Sequence, residues 1–133
     1  MWKGYDKGVF KDVCYNCDSP ISKQSCSYIE LMQHRLPKEK VLCERWDSSG
    51  FFFATKSKNH ARLIEIAVHK DFKGKGLGKK LLYRLLARCK MEGIFKLTFR
   101  TPIHEKAIGF WLHIGATIVG LKEDDYEMEL IFK

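Results

Sequence analysis

The residues of this chain best suited to holding a ligand stand in one run, Lys73-Gly74-Lys75-Gly76-Leu77-Gly78. Glycines at alternate positions leave the backbone without Cβ atoms and free to adopt left-handed conformations, so that amide groups can approach an anion closely. Positive charge gathers at the same place. Residues 70–90 carry Lys70, Lys73, Lys75, Lys79, Lys80, Arg84, Arg88 and Lys90 against a single acid, Asp71, within a chain of net charge +8. A solvated helix face accounts for Arg84, Arg88 and Lys90, whereas the lysines at the glycine run suit a polyphosphate. The spacing excludes two common nucleotide loops. A Walker A loop needs four residues between its first glycine and the Gly-Lys pair, then Ser or Thr. Here three residues separate Gly74 from Gly78, and Lys80 follows Lys79, so the hydroxyl that would meet Mg²⁺ is missing. The dinucleotide fingerprint would need glycine where Lys79 stands.

The flanking residues position this run. Residues 61–69, Ala-Arg-Leu-Ile-Glu-Ile-Ala-Val-His, have the alternation of a strand. After the glycines, Leu77, Leu81, Leu82, Leu85, Leu86 and Cys89 fall on one helical face. Strand, glycine turn and helix N-terminus form a pyrophosphate cradle, because unpaired amides point outward there and the helix dipole favours negative charge. Elsewhere residues 7–15 read as a short strand, 16–20 as a turn cluster and 22–36 as a helix. Residues 40–46 and 51–55 flank Asp47-Ser-Ser-Gly50 as a hairpin, and residues 94–100 form a strand after Gly93. Pro102 introduces a helix from about residue 103 to 114, closed by Gly115, and residues 117–121 and 126–132 close as a second hairpin. Strand, helix, hairpin, strand, helix, strand, helix, hairpin is the order of a mixed α/β layer. The 133 residues, 45% hydrophobic and 30% charged, fit one ordered domain without linker or repeat. No apolar run reaches membrane-spanning length and no leader-like segment opens the chain, so the expectation is a soluble, cytoplasmic protein with no membrane partner.

Two motifs carry a family resemblance. Lys73-x-x-Gly76-x-Gly78 is similar to the acyl-CoA loop Arg/Gln-x-x-Gly-x-Gly/Ala of the GNAT family of N-acetyltransferases. Ala107-Ile-Gly-Phe-Trp-Leu-His-Ile-Gly-Ala116 resembles that family's Ala-x-x-Phe-Tyr-x-x-x-Gly-Phe signature. The likeness runs from about Lys40 to the C-terminus; residues 1–39, where the family shapes its acceptor side, are atypical. The resemblance implies one N-acetyltransferase domain over residues 1–133. Its fold is α/β (α+β), a mixed, mostly antiparallel sheet with splayed central parallel strands and helices on both faces. It also implies acetyl-CoA as co-substrate and transfer of an acetyl group to a primary amine, on a small molecule or a peptide, by direct attack without an acyl-enzyme. A homodimer is left open. The backbone of Ile66, Ala67 and Val68 would pair with the pantetheine arm, and the loop of Lys73, Gly74, Lys75, Gly76, Leu77, Gly78 and Lys79 would hold the pyrophosphate. Lys73 keeps the charge of the family's Arg without its planar fork. His104 stands where members carry a cofactor-contacting Asn, and Trp111 where many carry the Tyr that protonates the leaving thiolate. Indole donates a hydrogen bond but is no acid. Relatives that acetylate ribosomal-protein N-termini share a Glu where Phe99 stands, which counts against that acceptor.

An amine is mostly protonated near neutral pH, so a base is useful. Glu65, on the strand beside the expected acetyl site, is the first candidate; the bland alternative is a solvent-facing carboxylate. His69, His113 and Tyr126 are weaker candidates. The Cys14-x-x-Cys17 pair has metal-ligand spacing, with Cys26, His34 and Cys43 beyond it, but no second tight pair follows. No metal is expected, and the odd number of cysteines favours free thiols in a reducing compartment. Two other readings compete: a non-catalytic acyl-CoA-binding or interaction module of the same fold, and a small basic nucleic-acid-binding protein. The second is disfavoured, since the chain lacks the aromatic–basic interleaving of single-strand binders and any helix-turn-helix or zinc-finger spacing.

Overall fold

The computed structural model describes residues 2–18, 22–103 and 106–133. Six strands form one sheet: β1 (Val41–Trp46), β2 (Gly50–Lys56), β3 (Ala61–Val68), β4 (Lys96–Pro102), β5 (Thr117–Lys122) and β6 (Asp125–Ile131). Their order is β1-β2-β3-β4-β6-β5, with every pairing antiparallel except β3 with β4. Helices α1 (Lys7–Tyr15) and α2 (Ser22–Met32) pack on one face, and α3 (Leu77–Met91) and α4 (Ala107–His113) on the other. The sheet arrangement and the two helical layers are those implied by the resemblance.

Why β2 lies at the centre follows from its sequence. Phe51-Phe-Phe-Ala54 is apolar without alternation, the pattern of a strand covered on both faces. Phe51 and Phe53 enter the core under α1 and α2; Phe52 and Ala54 enter the core under α3. Phe10 of α1 stacks on Phe51 with ring centroids 3.9 Å apart. α3 buries the stripe Leu77, Leu81, Leu82, Leu85, Leu86 and Cys89.

Residues 7–15 are a helix, not the short strand expected. Val9, Phe10 and Val13 have strand propensity, but Phe10, Val13 and Cys14 share the buried helical face. Asp6 caps the helix by accepting the Val9 amide at 3.0 Å. The helix begun at Ser22 stops at Met32, short of residue 36, and the helix expected from about residue 103 is Ala107–His113, because β4 continues through Pro102.

The central strands stay together only briefly. β3 and β4 pair at Ala61 with Leu97 and at Arg62 with Thr98, and no further. Immediately beyond, β3 shifts register against β2, with Ala54 facing Leu63 and Phe53 facing Glu65, so Ile64 is an extra residue. A bulge of this kind bends its strand and raises the local twist, which turns β3 away from β4. It also resets the pleat. Leu63 and Ile66 pack toward α3, whereas Ile64 packs toward α1 and α2 and Glu65 meets Ser22 at the start of α2.

A charged clasp closes the point of divergence. Arg62 reaches over β4, donating to Thr98 Oγ1 at 3.2 Å and to both carboxylate oxygens of Glu127 on β6 at 2.6 and 3.0 Å. This two-pronged hydrogen bonding holds Glu127 below the ordinary Glu value of 4.5. Its contribution to stability is therefore complete above pH 4.5 and disappears as pH falls through the lowered value. Glu127→Gln is expected to cost up to about 1 kcal/mol at neutral pH, and to flatten the acid dependence of stability below that point. Urea unfolding of both proteins across that acid range checks this; parallel pH profiles would show that the clasp contributes nothing.

Candidate functional site

The parting of β3 and β4 opens a cavity of about 470 Å³. β3 supplies one wall, through Leu63, Ile64, Glu65, Ile66 and Val68. β4 supplies the other with Phe99, Arg100, Thr101 and Pro102, α4 covers it with Ala107, Phe110 and Trp111, and the glycine loop stands at its mouth.

Local backbone demands explain the glycines. Gly74 and Gly76 have φ of +80° and +75°, values that side-chain-bearing residues rarely adopt. A Cβ built on either would meet nothing within 4 Å, so both positions border open space. Gly78 needs no unusual φ and faces Val68. Gly76 occupies the N-cap position of α3 without a side-chain cap, and the first turn holds no acid. The first intrahelical bond runs from the Lys80 amide to the Gly76 carbonyl at 3.1 Å. The amides of Leu77, Gly78 and Lys79 are thus left for an external acceptor, at the positive end of a helix of 15 residues. Such a cradle fits the pyrophosphate of an acyl-CoA.

Strand geometry sorts the three β3 residues expected to meet pantetheine. The His69 amide donates to the Ser49 carbonyl at 2.7 Å, toward β2. Backbone groups alternate along a strand, so Ala67 also turns its N–H and C=O toward β2, where it pairs with Phe51. Ile66 and Val68 direct theirs into the side that β4 has left, and both line the cavity. Ala67 is buried against the α1–α2 core.

The cations differ in their circumstances. Lys73 lines the cavity and is ion-paired with Asp18, whose carboxyl the Lys73 ammonium holds below its usual range. Lys79 lines it too, with its ammonium 5.7 Å from the centre of the Tyr83 ring. Lys75 has its ammonium 5.6 Å from the centre of the ring of Phe72, a lining residue. His104 lies outside the described residues.

Among the described residues lining the cavity, Glu65 is the one carboxylate. Ser22, fully buried at the first turn of α2, donates to Glu65 Oε2 at 3.1 Å. Trp111 forms the inner wall, 7% exposed and tilted against Phe99 at 4.1 Å. The remaining acid–base candidates lie off the cavity lining. The Nδ1 of His69 accepts from the Asp71 amide, His113 is exposed at the end of α4, and half-buried Tyr126 pairs with Thr101 and Leu121. Ser22, Phe72 and Thr101 escaped the sequence reading, and Phe110 entered it only as part of the signature from Ala107 to Ala116. Ser22 meets a partner 43 residues away, and Phe72 gives no signal separable from packing.

The cysteines are packing groups. Cys14, Cys26, Cys43 and Cys89 are buried, and burial pushes every one of these thiols up, Cys43 to about 12 and Cys89 to about 11. Among the described residues, no group of three His, Cys, Asp or Glu side chains converges to hold a metal ion.

A strand–glycine–helix cradle opening into a splayed parallel pair is a restrictive arrangement, and comparison with known proteins matches it. The family model described as the acetyltransferase (GNAT) family matches residues 27–116. The chain belongs to the GNAT family. Two curated relatives share the description of an uncharacterized N-acetyltransferase, ycf52. That of Gracilaria tenuistipitata var. liui is 32% identical over 68 residues, covering 50% of this chain but only 36% of the relative. That of Pyropia yezoensis is 26% identical over 133 residues, covering 85% of this chain and 75% of the relative. Among solved structures, the PaiA N-acetyltransferase of Thermoplasma acidophilum, in complex with coenzyme A, has the same fold at 19% identity. Its TM-score is 0.69, over 95% of this chain and 87% of that one. Among the described residues, no helix of this GNAT protein is long and apolar enough to cross a membrane.

Proposed function

We propose that the chain is an acetyl-CoA-dependent N-acetyltransferase acting on a primary amine. The observation that carries this reading is the loop from Gly74 to Lys79, open at two left-handed glycines and set on an uncapped helix start at the mouth of the fork. The CoA complex of a protein of the same fold supports the choice of ligand.

Acetyl-CoA supplies an activated acetyl thioester, which an amine attacks to form an amide while the CoA thiol departs. The amides of Leu77, Gly78 and Lys79 bind pyrophosphate, with Lys73 and Lys79 adding charge. The outward N–H and C=O groups of Ile66 and Val68 act as a strand edge for the pantetheine arm and orient the carbonyl. Much of the rate comes from holding two reactants in register, and an amide on β3 offers charge stabilisation to the developing oxyanion. Glu65 takes the proton of the acceptor amine, and Ser22 fixes the orientation of its carboxylate. Trp111 and Phe110 exclude water. Trp111 transfers no proton. A thiolate is stable enough to depart without first taking a proton, whereas a protonated amine has no lone pair to attack with until it loses one, so the base matters more than the acid. The five cysteines form no disulfide, and this fits a reducing compartment such as the cytoplasm.

Trp111 also favours a second reading, a member that binds acyl-CoA without turning it over. Thiol release measured against a panel of amines, polyamines, aminoglycosides and peptides separates the two, since a pure binder releases none beyond background hydrolysis.

Gly76→Asp is expected to leave the fold intact, because Asp tolerates a left-handed backbone and its Cβ enters open space. Its carboxylate would face the pyrophosphate and weaken CoA binding by more than about a hundredfold. Calorimetric titration beside thermal unfolding checks this; undiminished affinity in the folded variant would remove the loop from the site. Glu65→Gln should lower kcat by about a hundredfold while the KM for acetyl-CoA stays within about twofold. An unaltered kcat would leave Glu65 as a tie between β3 and α2 alone.

A further inference from the structure

A second cavity, of about 510 Å³, runs along the free edge of β1 beside the outer face of α3. Lys3, Arg45, Arg84 and Arg88 line it against two carboxylates, Glu44 and Asp47. Glu44 already serves two guanidinium groups, accepting from Arg84 at 2.7 Å and from Arg88 at 3.3 Å. Positive charge is therefore in excess along this furrow. An aromatic face stands beside it. Trp46, at the end of β1 between the lining residues Arg45 and Asp47, is 43% exposed, with the Lys80 ammonium 5.8 Å from its ring centre. The two other tryptophans are buried, Trp2 at 4% and Trp111 at 7%. Laying β1 against α3 thus sets an exposed aromatic ring among cations that are distant from it in sequence.

We propose that this furrow binds single-stranded nucleic acid, with phosphates along Lys3, Arg45 and Arg84 and a base stacked on Trp46. An acidic peptide would use the cations and gain nothing from the Trp46 ring; a duplex keeps its base faces covered. A single strand uses both. The assignment is independent of the acetyltransferase reading, because Trp46, Arg45 and Arg84 line no part of the fork cavity.

The test is titration of the protein with oligouridylate and oligothymidylate of about twelve nucleotides, at two salt concentrations, followed through tryptophan fluorescence. Polyglutamate serves as the competing polyanion. Either oligonucleotide should quench the Trp46 emission, and the tighter of the two identifies RNA or DNA as the source. Trp46→Ala removes the reporter, so its affinity is read from the anisotropy of an end-labelled oligonucleotide, as is the parent's for comparison; it should weaken binding about tenfold. In Arg45→Gln/Arg84→Gln the slope of log affinity against log salt should fall by about 0.7 for each phosphate contact removed. Both variants should bind CoA as the parent does. The proposal is overturned if neither oligonucleotide binds at near-physiological salt, or if binding occurs without quenching. Undiminished affinity in Trp46→Ala would overturn it as well. Polyglutamate binding as tightly as the oligonucleotides would assign the furrow to an acidic protein instead.

Discussion

The early end of pairing between β3 and β4 is the constraint on which the molecule depends. Two parallel strands joined along their whole length would leave no backbone free and no space between them. Here the ladder stops at Arg62 and Thr98, the extra residue Ile64 bends β3 aside, and the Arg62–Glu127 clasp fixes the point of divergence. The cost is a row of backbone groups on Ile66 and Val68 without strand partners, which in water is modest and in contact with a ligand becomes recognition. The apolar stripe of α3 and the three phenylalanines of β2 pack the sheet beside the fork on both faces.

The same bulge also decides what lies in the fork. Without it, strict alternation would put residue 65 on the side of Leu63, toward α3. With it, Glu65 turns toward α2 and meets Ser22, which precedes the residues 27–116 matched by the family model. The residue proposed as the base is thereby anchored by a segment outside that match. The charge on the glycine loop follows a parallel logic. A helix start without acid or cap, surrounded by lysines, is unfavourable by itself and favourable only when an anion arrives.

Much of this was legible in the chain. The glycine run, the strand before it and the leucine stripe after it are local signals, and both hairpins follow from turn chemistry. Residues 7–15 misled because Val9, Phe10 and Val13 carry strand propensity, although Asp6 and the helical spacing of Phe10, Val13 and Cys14 were present as competing signals. The bulge was not legible: Leu63-Ile64-Glu65-Ile66 reads as ordinary strand, and an extra residue is defined only by the partner strand. Ser22 was invisible for the same reason, since a long-range hydrogen bond leaves no periodicity. The acceptor stays outside this account because no side-chain pattern on the page is selective for one amine.

The most direct measurement is amide hydrogen exchange, resolved by residue, with and without CoA. The account predicts slowed exchange at Leu77, Gly78 and Lys79 and at Ile66 and Val68, with Ala67 unchanged because its amide already faces β2. Protection that bypassed the loop and the open edge of β3, in a protein that binds CoA, would contradict it.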